Sequence, residues 1–277
     1  MSLERFSFNQ ATAKYWPLPD LVAGCAAAGV PAVGLWREPV AEYGLARSAA
    51  LVRDAGLSVS SLCRGGFFGA DGWFDDNRRA IDEAVALGAP VLVLVCGGLA
   101  GRPLEGARGQ VAAALEALAP HALAAGVRLA IEPMHPMFAA DRSVVATLGG
   151  ALALATRFPV EAVGVALDTY HVWWDEQVYP LIAAGGERIA CLQLADWVLP
   201  LPADVLVGRG LPGAGCVEFG RFLRATTAAG YTGPIEVEVF NADLWARPGQ
   251  EVLRDTIAAF RTVTTEAAAP LTGECQP

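Results

Sequence analysis

Eight short runs of apolar residues recur along this chain, and each is followed by a longer segment with helical periodicity. Continuous runs of Val, Ile and Leu indicate parallel strands that are buried on both faces of a sheet. The third run is the least apolar, because it contains three serines. The predicted strands are Arg5–Asn9, Ala32–Trp36, Leu57–Cys63, Val91–Cys96, Arg128–Glu132, Val163–Asp168, Ile189–Leu194 and Ile235–Val239.

The segments between these runs predict eight helices, several of which stop at a glycine, as helix C-termini often do. They are Leu18–Ala28, Leu45–Ala55, Phe74–Leu87, Gly109–Ala125, Ser143–Arg157, Val178–Ala184, Phe219–Ala229 and Glu251–Val263. Because a (β/α)8 TIM barrel takes about 250 residues, eight strand–helix units predict one such barrel over residues 1–263. A doubly wound open sheet is the alternative, and the number of units favours closure. The aperiodic segment 264–277 is expected to be a disordered tail.

The charge of the chain argues against a nucleic-acid partner. The net charge is -9, and Lys14 is the only lysine, so the chain has no basic block. The N-terminus has no apolar signal segment, and no stretch of about 18 apolar residues predicts a membrane span. Six cysteines without a CxxC pair are typical of reduced thiols in the cytoplasm. We therefore expect a cytoplasmic protein with a small-molecule partner, and a homodimer is compatible with the sequence.

Acidic side chains lie at or just after the ends of the later predicted strands. They are Glu132, Asp168, Asp196, Glu236 and Glu238. The active sites of TIM barrels lie at the C-terminal ends of the strands, where inward side chains converge. Converging carboxylates repel one another, so this pattern predicts a shared divalent cation. In the alternative interpretation, the carboxylates pair with arginines such as Arg64 and Arg209.

Four sequence segments resemble the sugar phosphate isomerase/epimerase family of xylose-isomerase-like TIM barrels, which includes inosose isomerases and dehydratases and ketose 3-epimerases. The segments are IEP at Ile131–Pro133, LDTYH at Leu167–His171, QLAD at Gln193–Asp196 with RGLPGAG at Arg209–Gly215, and AGYTGPIEVEVFN at Ala229–Asn241. The resemblance covers nearly the whole chain and is most specific in its second half.

The resemblance implies a metal held by Glu, Asp, His and Glu. The matching positions here are Glu132, Asp168, Gln193 and Glu238. Glutamine at position 193 departs from the family pattern, and an all-oxygen ligand set suits Mn²⁺ or Mg²⁺ better than Zn²⁺. The amide is also a weaker ligand, which leaves a degenerate metal site open. The resemblance further implies that His171 and Arg209 contact the substrate.

The family chemistry implies proton transfer at a carbon next to a carbonyl, through an enediolate stabilised by the metal. Glu132 and Glu238 would remove and return the proton. The expected function is a metal-dependent sugar or cyclitol isomerase or epimerase. Two alternatives stay open: a lyase or dehydratase on the same scaffold, and a non-catalytic ligand-binding barrel with a degenerate metal site.

Three further side chains are candidates for binding a polyol or sugar-like substrate. Trp36 follows the second strand and offers an aromatic face, and Arg64 follows the third strand and can hold an anion. Trp173 lies beside the histidine of the LDTYH segment. The chain has neither a phosphate-binding GxxxxGK[ST] loop nor a GxSxG nucleophile elbow, which argues against nucleotide-dependent and serine-hydrolase chemistry.

Overall fold

Within residues 3–268, which the computed structural model describes, eight parallel strands close into a barrel. The barrel strands are β1 (Phe6–Asn9), β2 (Ala32–Trp36), β3 (Ser58–Gly66), β4 (Val91–Val95), β5 (Arg128–Ile131), β6 (Val163–Asp168), β7 (Ile189–Leu194) and β10 (Ile235–Val237). Their order around the barrel is β1-β10-β7-β6-β5-β4-β3-β2. This confirms the predicted (β/α)8 fold, and every predicted strand is present.

The helices pack around the outside of the barrel. In the described part of the chain they are α1 (Leu18–Ala27), α2 (Arg37–Tyr43), α3 (Leu45–Asp54), α4 (Trp73–Leu87), α5 (Leu104–Ala125), α6 (Leu148–Ala155), α7 (Thr169–Val172), α8 (Val178–Gly185), α9 (Phe219–Ala228), α10 (Ala242–Trp245) and α11 (Gly249–Ala268). As the glycine pattern predicts, α4 and α5 end at Gly88 and Gly126, whose φ angles of 68° and 70° favour glycine.

Three helix predictions differ from the structure by several residues at their ends. Helix α5 begins at Leu104 rather than Gly109. Helix α6 begins at Leu148 rather than Ser143, because Ser143 bridges to Gly97 and the Thr147 hydroxyl caps the helix by accepting from Gly150 N–H. Helix α11 continues to Ala268, so residues 264–268 are helical rather than a disordered tail. The rest of the predicted tail lies outside the described residues.

Two apolar layers enclose the barrel wall and leave the C-terminal ends of the strands for polar groups. The larger layer lies between the strands and the helices, and includes a ring contact of 4.8 Å between Phe6 and Phe260. A smaller buried cluster comprises Cys63, Val91, Val93, Ala130, Ala166 and Cys191. No helix of the described residues has the length and apolarity needed to cross a bilayer.

Short elements after β7 build a loop over the open end of the barrel. Strand β8 (Asp196–Trp197) pairs in antiparallel fashion with β9 (Arg209–Gly210). Asp196 fixes this loop by accepting hydrogen bonds from the backbone N–H groups of Gly213, Gly215 and Val217. A Cβ on Gly215 would lie 2.1 Å from the Trp197 carbonyl oxygen, so glycine is required there. Asp196 therefore supports the loop that carries Arg209 rather than joining the carboxylates of the site.

Candidate active site

A cavity of about 310 Å³ lies at the C-terminal end of the barrel. The sequence-predicted site residues on its walls are Trp36, Arg64, Glu132, Arg209 and Glu238. Sequence reasoning missed Lys14, Cys63, Arg142, Phe240 and Trp245, which also line it. These residues are not acidic side chains at strand ends, so the sequence pattern does not identify them as residues of the cavity.

Three carboxylates are buried at or beside this cavity. Glu132 and Glu238 line it, whereas Asp168, His171 and Gln193 are not among its lining residues. Glu132 follows β5, Asp168 ends β6, and Glu238 follows β10; none is more than 4% exposed. Nη1 of Arg209 lies 2.7 Å from Asp168 Oδ2 and 3.2 Å from Glu238 Oε2. The arginine pairing proposed from the sequence is therefore real for Arg209. Arg64, in contrast, forms no ion pair with any residue in the range 3–268.

The protonated forms of these carboxyl groups are favoured by their surroundings. Desolvation by burial, with repulsion from Asp168, raises the pKa of Glu132 to about 8. Burial also raises the pKa values of Asp168 and Glu238, although Arg209 opposes both shifts. The positive charge of the Arg209 guanidinium therefore does not balance the charge of three buried carboxylates within the described structure. A second cation would offset the remaining negative charge.

His171 is neutral in this site. Burial and, to a smaller extent, the nearby Arg209 lower its pKa well below the usual value. Its Nδ1 lies 3.2 Å from the backbone nitrogen of His135, and its Nε2 lies 3.1 Å from Arg209 Nη2. Both neighbours are donors, and a neutral imidazole accepts at only one nitrogen, so each tautomer allows one of these two hydrogen bonds. Nε2 also lies 3.8 Å from Glu132 Oε1 and 3.9 Å from Asp168 Oδ2.

A second polar layer lies beneath the cavity floor and centres on Glu236. Its carboxylate accepts from Asn9 Nδ2, Ser60 Oγ, Ser61 Oγ and Gln193 Nε2 at 2.6, 2.6, 2.9 and 2.9 Å. A Cβ on Gly34 would lie 2.6 Å from the Glu236 carboxyl carbon, so glycine leaves the space this group needs. Two of the three serines that make β3 the least apolar strand, Ser60 and Ser61, therefore hold a buried carboxylate, whereas Ser58 is exposed and donates to the Pro31 carbonyl.

Glu236 also fixes the orientation of Gln193. Because Gln193 Nε2 donates to Glu236, its Oε1 is held as a free acceptor, and this fully buried atom has no hydrogen-bond partner in residues 3–268. An unpaired buried acceptor is costly in a folded protein. A cation is a natural partner for such an oxygen.

The donor set fits a hard divalent cation. Glu132, Asp168 and His171 can each offer an atom within 4.8 Å of the others. These three groups therefore form a candidate set of metal ligands, and Glu238 is not part of this 4.8 Å group. The buried, unpartnered Oε1 of Gln193 is a further oxygen that a cation could satisfy.

Two cations on the cavity wall form no close ion pair within residues 3–268, although the charge of Glu38 acts on Arg64. The Arg64 guanidinium lies over the Phe67 ring at 4.3 Å, and Lys14 Nζ lies over the Trp245 ring at 4.7 Å. Neither side chain has an ion pair or a hydrogen bond within the described range. Both line the cavity, so they can receive an anionic group of a ligand.

Two aromatic predictions have different outcomes. Trp36 lines the cavity and is held there by its Nε1–H, which donates to Asn9 Oδ1 at 3.0 Å. Trp173, predicted to contact the substrate, is not among the lining residues; its ring packs 5.5 Å from that of Trp197. The loop that carries Trp197 covers this tryptophan, and the sequence does not reveal that contact.

Cys63 is an unpredicted neighbour of the candidate base. Its thiol lies on the cavity wall and donates to Glu238 Oε1 at 3.7 Å. Burial and the repulsion of Glu238 raise the pKa of this thiol, so it stays protonated and acts as a donor rather than a nucleophile.

A sequence profile described as a xylose isomerase-like TIM barrel matches residues 22–262. The 3-dehydroshikimate dehydratase of Pseudomonas aeruginosa is 31% identical over 246 residues, a match that covers 83% of this chain and 37% of the dehydratase. The chain therefore spans little more than a third of that curated relative.

Two solved structures have the same fold as this chain. Protein SMc04130 from Sinorhizobium meliloti 1021 is 43% identical, with a TM-score of 0.90 and coverage of 95% of this chain and 99% of the other. The IolI protein, whose structure contains a zinc atom, has a TM-score of 0.83 and covers 96% of this chain and all of its own. At 18% identity the likeness to IolI shows the fold alone.

Proposed function

This chain belongs to the xylose isomerase-like TIM barrel family, and on that premise we propose that it removes a proton from the carbon next to a carbonyl group in a sugar- or cyclitol-like substrate. The observation that carries the proposal is the buried cluster of Glu132, Asp168 and Glu238, which one guanidinium leaves short of positive charge within residues 3–268. Such a cluster can bind a metal and transfer protons at the same place.

Glu132, Asp168, Gln193 and Glu238 would hold the metal, with Mn²⁺ or Mg²⁺ expected from the oxygen donors. When bound, the metal supplies Lewis-acid stabilisation of the negative charge that develops on substrate oxygens. Arg209 and His171 lie beside the same carboxylates, so their side chains can hydrogen-bond and orient those oxygens.

Proton transfer is assigned to Glu132 and Glu238. Burial raises the pKa of Glu132 to about 8 and that of Glu238 well above its ordinary value, so one carboxyl group can hold a proton while the other accepts one. The accepting carboxylate takes the proton from carbon, and the electron pair of the C–H bond enters the enediolate. Cys63 donates to Glu238 and holds its carboxylate in place.

Of the outcomes open to the enediolate, we favour loss of water. The C–O bond one carbon further breaks, and the departing hydroxide takes a proton from the protonated carboxyl group. Two observations support this choice. The 31% identical relative is named a dehydratase and acts on the acid 3-dehydroshikimate. The unpaired Arg64 and Lys14 suit an acidic substrate in this cavity.

Isomerisation or epimerisation, which the sequence motifs imply, is the second candidate. It is favoured by the placement of Glu132 and Glu238 after β5 and β10, which are separated in the barrel by β6 and β7. Carboxylates on different sides of the cavity can serve opposite faces of a substrate carbon, as inversion of a stereocentre requires.

Incubation with substrates in D₂O tests these outcomes. The Mn²⁺-loaded chain is mixed with 3-dehydroshikimate and with a set of sugars and cyclitols, and the products are analysed by mass spectrometry. A dehydratase yields a product lighter by one water, whereas an isomerase or epimerase yields a product of conserved composition that carries solvent deuterium. Glu132→Gln should lose the activity and the exposed-site control Glu161→Gln, at a residue that lines neither cavity, should retain it. Ligand binding without either change would identify a non-catalytic barrel.

A further inference from the structure

A second cavity, of about 450 Å³, adjoins the one that contains the carboxylates. The two share four wall residues, Lys14, Trp36, Arg64 and Phe240, so the reaction cavity continues past Trp36. We call the second space the distal cavity. Its other walls come from Gln10, Ala11, Tyr15, Glu38, Pro39 and Glu42.

Gln10 gives the distal cavity an unsatisfied hydrogen-bond donor. The residue follows β1 and is 1% exposed. Its Oε1 accepts from the backbone N–H of Trp36 at 3.1 Å, which fixes the direction of the amide. Its Nε2 is buried and has no hydrogen-bond partner in the described chain. A ligand oxygen is the group that would satisfy it, and leaving it unpaired is costly.

The remaining walls combine aromatic faces with carboxylates. Tyr15 is 69% exposed and its ring lies 6.0 Å from that of Trp245, while Trp36 lies between the two cavities. Glu38 and Glu42 on α2 are exposed and can accept hydrogen bonds from hydroxyl groups. An apolar occupant would leave the Nε2 of Gln10 without a partner. The two cations and two carboxylates on the walls of the distal cavity offset one another, so a neutral occupant with hydroxyl groups suits it.

We propose that the distal cavity binds a neutral, hydroxylated ring, so that the substrate is a glycoside or disaccharide rather than a single ring. Aromatic side chains pack against the faces of such a ring, Glu38 and Glu42 accept from its hydroxyls, and Gln10 donates to one of its oxygens. Lys14 and Arg64, which line both cavities, lie where an acidic group of the reacting ring would be held. This inference deepens the proposed function and rests on it.

Binding measurements with three probes test the inference. The probes are D-glucuronate, a disaccharide of glucuronate linked to glucose, and phenyl β-D-glucuronide, each titrated calorimetrically into the Mn²⁺-loaded chain. A distal ring that makes a few hydrogen bonds should lower the dissociation constant of the disaccharide about tenfold relative to that of glucuronate. Tyr15→Ala and Glu42→Ala should each remove most of this gain and leave glucuronate binding unchanged. Tyr43→Ala is the matched control, because Tyr43 lies on α2, packs against Arg47 and lines neither cavity.

The outcomes separate this inference from the proposed function. Equal affinities for glucuronate and the disaccharide would overturn the distal site and leave the reaction cavity in place. An equal gain for the phenyl glucuronide would overturn the assignment to a hydroxylated ring. Failure of all three probes to bind would overturn the acidic-sugar specificity of the reaction cavity together with the distal site.

Discussion

Replacing Glu236 with glutamine tests whether the buried layer beneath the cavity is an anionic anchor. In the wild type the side chain is fully buried and accepts four hydrogen bonds, two on each oxygen. Glutamine keeps the shape and one acceptor oxygen. Its NH₂ group must face either Asn9 and Gln193, which are both donors, or Ser60 and Ser61, whose hydroxyls can rotate and accept. The second arrangement is expected.

The magnitude follows from the loss of charge. Hydrogen bonds to a charged group contribute about 1 kcal/mol more than neutral ones, so four weakened bonds lower the stability by up to about 4 kcal/mol. Burying a neutral amide costs less than burying a carboxylate, which offsets part of this loss. We expect Glu236→Gln to lower the free energy of unfolding by about 2 kcal/mol, or the melting temperature by roughly 4–8 °C for a chain of this size.

Urea denaturation followed by far-UV circular dichroism measures this change, with Glu42→Gln as the exposed control. Ser61→Ala should cost less in the Glu236→Gln background than in the wild type, because its hydroxyl then faces a neutral partner. An unchanged or increased stability of Glu236→Gln would refute the reasoning. It would mean that the four donors do not depend on the negative charge of Glu236.

Three further predictions concern the metal site, catalysis and the surface. Gln193→His should tighten Mn²⁺ binding measured by calorimetry, because an imidazole nitrogen is a stronger ligand than an amide oxygen; unchanged affinity would remove position 193 from the ligand set. Glu132→Gln and Glu238→Gln should each abolish turnover with the circular dichroism spectrum preserved, and normal rates in both variants would contradict the assigned site. The hydrogen bond from Arg37 lowers the pKa of Asp76 from 3.8 to about 2, so Asp76 contributes stability above pH 4 that is lost as the pH falls toward 2. Asp76→Asn should therefore be less stable than the wild type at pH 7, and urea denaturation should show the difference shrinking as the pH falls through about 2, where Asp76 is half protonated in the folded state. A difference that does not change between pH 4 and pH 2 would show that another interaction is responsible.

The strands of this barrel could be predicted from the sequence because each is a nearly continuous apolar run. Strand β3 shows the limit of that signal. Its serines lower the apparent strand character, yet Ser60 and Ser61 face the barrel interior, where Glu236 needs hydroxyl donors. A polar residue in a buried strand can therefore mark the layer that supports a site, and its partner is visible only in three dimensions.

The candidate site was predictable where strand order alone brings residues together. Glu132, Asp168 and Glu238 are at or beyond strand ends, and parallel strands deliver them to one side of the barrel. The positions of Arg209 and Trp173 depend on loop conformations instead. The β8–β9 pair, fixed by Asp196, brings Arg209 onto the carboxylates, and the same loop places Trp197 against Trp173. Loop conformations of this kind leave no periodic pattern in the sequence.

The two carboxylate layers of the barrel have different roles: the lower layer supports the site, and the upper layer carries the proposed chemistry. Glu236 has four donors and glycine space beside it, so its environment stabilises the charge without help from a ligand. Glu132 lies one layer above, and its pKa is raised to about 8. Among the described residues, Arg209 forms ion pairs with Asp168 and Glu238 but not with Glu132. The lower layer holds Gln193 so that its Oε1 stays free, and the upper layer lacks positive charge. A fully hydrogen-bonded lower layer thus supports an upper layer of carboxylates that lacks positive charge. This arrangement stabilises an added cation and lets neighbouring carboxyl groups exchange protons with a substrate.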